Sequence, residues 1–160
     1  MEIIRLLLRI ILFWIAAEIL TFLHELGHAI AGLLLTRERV VIHMGNPGNR
    51  YQHVHFGRLE IRLHNFVPFV GFTYIDETRL NRAQRLWFYL GGPLMSLALT
   101  VLLSSTAATC GSETVRVFAS MALIQLLITA IPMNYPRFFG AYADMPSDGM
   151  WVLRLLRRKI

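Results

Sequence analysis

The sequence predicts an α-helical polytopic membrane protein of about three transmembrane helices, a membrane-associated β-hairpin or small sheet, and a short C-terminal interfacial helix, all in one domain over residues 1–160. Three observations predict it. Apolar residues make up 55% of the chain and the mean hydropathy is +0.49, too greasy for a soluble domain of this size. Residues 86–109 and 117–135 carry no charged side chain, and as a helix the first run reaches ~36 Å, enough for a hydrocarbon core of ~30 Å. The polar stretch at about 39–75 instead alternates with the period of a strand.

The first span, from Ile3 to Leu35, also contains Arg5, Arg9, Glu18 and the run His24-Glu25-Leu26-Gly27-His28. A long helix with both ends in the interface accommodates these charges. Arg5 and Arg9 before an apolar run also suit a signal peptide, but no small-x-small cleavage site precedes His24, so the segment is expected to be retained.

His24 and His28 are four positions apart, so on a helix they share one face and their imidazole nitrogens can meet at one metal ion, each about 2 Å away. Glu25 is one position round, close enough to take a proton from an activated water without ligating the metal. In a soluble helix the same residues could be a hydrogen-bonded polar patch. At membrane depth, ionisable side chains cost several kcal/mol unless paired or metal-bound, which favours one zinc ion here.

In the next segment Val40, Ile42 and Met44 alternate with Val41 and His43, and Gly45-Asn46-Pro47-Gly48-Asn49 supplies a turn. Phe56, Leu59, Ile61 and Leu63 then alternate with Arg58, Glu60, Arg62 and His64, giving a hairpin or small sheet with one apolar face. The apolar run from Phe66 to Ile75, broken by Pro68 and Gly71, is too short to span as a helix and is expected to dip into the interface or line the site. A helical pair follows at about 82–109 and 114–133, then a loop and a short helix, whose Trp151-Val152-Leu153-Arg154-Leu155-Leu156-Arg157-Arg158-Lys159 reads as an interfacial helix on anionic lipid. His43, His53, His55 and His64 alternate on exposed strands and read as surface or interface histidines and not as further ligands.

Charge sets the orientation. Eight arginines lie between Arg37 and Arg85, whereas the loop from Ser104 to Thr114 has none, so the first is expected inside and the second outside, with the N-terminus out. Arg5 and Arg9 oppose this scheme and are outvoted. The net charge of +6 therefore reflects topology and the lipid bilayer, and no nucleic-acid module is recognisable. The single Cys110 excludes an intramolecular disulfide and a cysteine zinc cluster. Anything after about Pro132 returns to the cytoplasmic side, toward which the two histidines lie, and there Asp144 and Asp148 are the available carboxylates. Taken alone, Ser147-Asp148-Gly149 is an ordinary helix N-cap.

The chain resembles the site-2 protease family of intramembrane zinc metalloproteases over nearly its whole length, as a short, catalytic-core-like member. The similarity rests on HELGH in the first helix, the strand region ending in Phe69-Val70-Gly71-Phe72, Gly91-Gly92-Pro93-Leu94-Met95-Ser96, and the late Ser147-Asp148-Gly149. This resemblance implies His24, His28 and Asp148 as ligands of one zinc ion, Glu25 as catalytic base, and a membrane-spanning protein segment as substrate, hydrolysed in a multi-pass protein of a prokaryotic cytoplasmic membrane. Ser96 and Thr129 stand where the family usually has Asn; with Gly71 and Phe72 they are the expected substrate-positioning residues. Two alternatives are a proteolytically inactive scaffold with a vestigial metal site and a metal-handling membrane protein, although the later spans offer almost no ionisable groups for a transport path.

Overall fold

The computed structural model describes residues 2–48, 50–65, 67 and 69–157. Asn49 of the expected turn, Phe66 and Pro68 of the apolar run, and Arg158 and Lys159 of the cationic end lie outside the described residues. The fold is mostly helical: α1 (Glu2–Leu35), α2 (Arg82–Cys110), α3 (Glu113–Ala130) and α4 (Asp148–Arg157), with strands β1 (Val40–Met44), β2 (Gln52–Phe56), β3 (Leu59–Leu63) and β4 (Gly71–Ile75) between α1 and α2. The first three helices are long and apolar enough to cross a membrane. Short 3₁₀ turns cover Glu77–Arg79 and Arg137–Tyr142.

Local chemistry fixes the helix ends. Asn81 and Gln84 form a reciprocal capping box at the start of α2, Gly111 ends it in the left-handed region, and Ser112 caps α3. Helix α3 stops at Ala130, short of the expected 133. Ile131 precedes Pro132 and is extended, because a proline disfavours helical backbone in the residue before it.

The strand region is a four-stranded sheet in the order β2-β3-β1-β4. The expected alternation holds in β1: Val40, Ile42 and Met44 are buried and pack with Ala29 of α1, flanked by Phe22, Leu26, Leu33, Leu59 and Ile75. The pairing is more complex than a hairpin. From β1 the chain runs out to the edge as β2, reverses at Gly57 (φ 60°), and returns as β3, which lies parallel to β1. Phe56 and Leu59 are therefore cross-strand partners and not neighbours on one strand. The apolar run ends as β4, antiparallel to β1, an edge strand lying against α1.

Helices α1 and α2 approach closely where side chains are missing. A Cβ on Gly27 would overlap the Gly91 carbonyl oxygen, and one on Gly91 would overlap that of Gly27. A Cβ on Gly149 would likewise overlap the Ala130 carbonyl oxygen, so the first turn of α4 sits directly on the end of α3. In the first half of α1, residues 2–15 are all exposed, and burial begins at Ala16.

Gly27→Val is accordingly expected to force α1 and α2 apart, at about 1–3 kcal/mol of overpacking. Gly48→Ala, where an added Cβ meets nothing closer than 3.9 Å, leaves stability unchanged. Thermal unfolding of the two variants in detergent checks the difference.

Candidate metal centre

Three residues from two elements converge. His24 and His28, on the same face of α1, are 3% and 5% exposed, and their Nε2 atoms lie 3.3 Å apart. The Oδ2 atom of Asp148, at the start of α4, lies 3.1 Å from Nε2 of His24 and 3.4 Å from Nε2 of His28. Ligands of a tetrahedral ion at about 2.0–2.1 Å are separated by about 3.3–3.4 Å, so these three atoms form one face of such a site. Among the described residues this is the only such grouping of His, Cys, Asp or Glu.

Each imidazole is turned by a bond at its other nitrogen. His28 Nδ1 lies 2.7 Å from the Phe88 carbonyl oxygen, which only a protonated Nδ1 can satisfy, leaving the Nε2 lone pair free for a metal. His24 Nδ1 lies 2.8 Å from Oγ of the fully buried Ser96. Such partners fix tautomer and ring orientation and raise ligand basicity. Space for an ion comes from Gly92, where a Cβ would fall on the Nε2 atoms of both histidines. Gly91 and Gly92 thus have different functions, the first in helix approach and the second at the centre.

Asp148 is free to act as a ligand because its neighbour takes the capping role. Ser147 is 1% exposed; its Oγ accepts from the Met150 and Met133 N–H groups and donates to the Ile131 carbonyl. Asp144 is a different case. Its side chain is 75% exposed, 3.7 Å from Arg137, and not part of the cluster.

Glu25 lies beside the cluster, 7% exposed, and its Oε2 accepts from Thr73 Oγ1 of β4 at 2.7 Å. Gly71, two residues earlier on the same face of β4, packs on the stem of Glu25 so tightly that a Cβ would come within 2.8 Å of its Cγ. The four residues His24, Glu25, His28 and Asp148 line a mainly apolar cavity of about 830 Å³, bounded by β4 on one side and by Tyr135 and Tyr142 on another.

The expected positioning residues divide. Ser96 orients a histidine and does not reach into the cavity wall. Gly71 and Phe72 are on β4 and line the cavity, as does Thr129, whose hydroxyl bonds back to the carbonyls of Gln125 and Leu126 and touches no residue of the centre. Sequence reasoning missed Thr73, the Phe88 carbonyl and Tyr142. Thr73 had one signal, its place on the Gly71 face of a strand; the other two had none. His43 and His64 pair with each other at 2.8 Å, and His53 and His55 are exposed on β2, away from the centre.

No protein-family model matches the chain and no curated protein matches it, so the assignment of the centre rests on its geometry. That geometry predicts that the cluster can hold one metal ion and that His24→Ala and His28→Ala abolish its binding. Asp148→Asn weakens it strongly, whereas Asp144→Asn leaves it intact. Ser96→Ala, which frees the His24 ring, lowers affinity about 10- to 100-fold. Zinc titration of the purified variants against a competing chelator measures all five.

Proposed function

We propose that the chain is a polytopic zinc metalloendopeptidase of site-2 protease type, which hydrolyses a peptide bond within or near the transmembrane segment of a membrane protein. The observation that carries this reading is the convergence of two imidazoles and one carboxylate beside the Glu25 carboxylate on the wall of a large, mainly apolar cavity. Three protein ligands leave a fourth position, which distinguishes a catalytic from a structural zinc site. A purely structural site has no use for Glu25 or for the cavity.

His24, His28 and Asp148 would hold the zinc ion, which would supply Lewis acidity and a water acidic enough to act as a nucleophile near neutral pH. The chain's own residues do the rest. Glu25 accepts the water proton on its carboxylate and delivers it to the leaving amine, while Thr73 holds one of its oxygens in place. The Phe88 carbonyl and Ser96 keep both imidazoles aimed. A helical substrate has its carbonyls hydrogen-bonded and must unwind locally. The outward edge of β4, which borders the cavity, suits an extended segment added as a further strand.

The exposed surface supports the membrane setting. Ile3, Leu6, Leu7, Ile11 and Leu34 of α1 and Val101 and Leu102 of α2 are more than half exposed, which lipid explains and water does not. The arginine distribution supports an orientation with the sheet and the centre toward the cytoplasm and the short loop between α2 and α3 outside. Helix α4 sits at that cytoplasmic interface, where Arg154 lies over the Trp151 ring at 5.1 Å and Arg157 follows in its last turn.

Two results test this reading. Glu25→Gln retains zinc and loses nearly all cleavage of reconstituted single-span proteins, since an amide keeps the shape but cannot take the proton; near-wild-type cleavage would refute the assigned base. In a Cys110→Ser background, a cysteine at residue 50 is labelled by impermeant thiol reagents from the cytoplasmic side only. Labelling from the opposite side would invert the topology.

A further inference from the structure

One edge of the cavity is already hydrogen-bonded by the chain itself. Strand β4 ends the sheet, paired with β1 on one side only. The Gly45 N–H donates to the Val70 carbonyl at 2.8 Å, so residue 70 and, by alternation, residues 72 and 74 turn their backbone groups toward β1. Gly71, Thr73 and Ile75 turn theirs outward. At Gly71 both outward groups meet one side chain: the Gly71 N–H donates to the Tyr142 hydroxyl at 2.8 Å, and that hydroxyl donates to the Gly71 carbonyl at 2.8 Å.

A single phenol therefore satisfies the donor and acceptor that one residue of a paired strand would satisfy. Its ring also packs on Phe72, with centroids 4.8 Å apart. Burial, and then the Glu25 carboxylate, push the Tyr142 phenol well above its ordinary range, so the hydroxyl keeps its proton and its donor role. Tyr142 belongs to the 3₁₀ segment Arg137–Tyr142, which lies between α3 and the turn carrying Asp148. Gly71 in turn rests on Glu25. The bonded position is thus next to the proposed base.

We propose that Tyr142 is the resident occupant of a peptide-backbone binding position on β4, and that an extended polypeptide segment binds by displacing its hydroxyl from Gly71, which makes the 137–142 segment a gate on the cavity. The proposal rests on the metallopeptidase reading for the identity of the incoming segment. It differs from a plain anchoring role in sign. An anchor helps the site, whereas an occupant competes with the substrate.

The test uses full-length protein in liposomes and a fluorogenic single-span peptide, a Leu/Ala segment of about 20 residues interrupted by Gly-Asn. Tyr142→Phe keeps the ring and removes both bonds. At about 0.5–1.5 kcal/mol net per bond, KM is expected to fall about 5-fold or more, with zinc content unchanged and kcat within about 2-fold. An unchanged or raised KM overturns the proposal. Hydrogen exchange on the Glu25→Gln protein gives a second readout that needs neither cleavage nor the Tyr142 variant. With peptide bound, amides of 137–143 are expected to exchange faster and those of Thr73 and Ile75 more slowly. Protection of both segments, or of neither, overturns the gate. A wild-type protein that leaves the peptide uncut while Glu25→Gln shows the expected exchange pattern would count against the peptidase reading and for the gate.

Discussion

Two imidazoles and a carboxylate held within 3.4 Å of one another in an apolar bundle are the constraint on which the rest of the structure depends. A carboxylate taken out of water costs several kcal/mol unless opposite charge or a metal compensates it, and a lone buried partner is worse than none. The cluster therefore ties together helices that are far apart in sequence. Helix α1 supplies both histidines, α2 holds their outer nitrogens through Phe88 and Ser96, and α4 brings Asp148 across from the other end of the chain.

Close backbone approach makes that arrangement possible. Gly27 and Gly91 let α1 and α2 meet with no side chain between them, which brings the Phe88 carbonyl and the Ser96 hydroxyl within hydrogen-bond distance of the histidines. Gly149 does the same for α4 against α3, directly beside the aspartate. Gly92 leaves the space in front of both Nε2 atoms open. Packing and chemistry are thus one problem here. A methyl group at Gly27 or Gly149 disturbs the fold, and one at Gly92 fills the centre itself.

Much of this is legible in the sequence. The i, i+4 histidines, the uncharged runs and the alternation of Val40, Ile42 and Met44 each reflect a local period, and local periods survive in sequence. Asp148 was legible only through the resemblance, since Ser147-Asp148-Gly149 also reads as a cap; the structure separates the two roles by giving the cap to Ser147. The parallel pairing of β1 with β3 was not legible, because alternation marks a buried face and does not name a partner strand. The bonds from Thr73 to Glu25 and from Tyr142 to Gly71 join residues 48 and 71 positions apart and exist only once the sheet lies on α1. Ser96 was singled out as a substrate-positioning residue, yet its partner is His24, a contact that no spacing within α2 reveals.

X-ray absorption on the zinc-loaded protein reads the ligands of the centre directly. A four-coordinate ion is expected, with two imidazole nitrogens and two oxygens at about 2.0–2.1 Å, one oxygen from Asp148 and one from water. Loss of one imidazole contribution in His28→Ala would complete the assignment. A sphere containing the Cys110 sulfur, an oxygen-only sphere, or failure to bind zinc in a one-to-one ratio would contradict it.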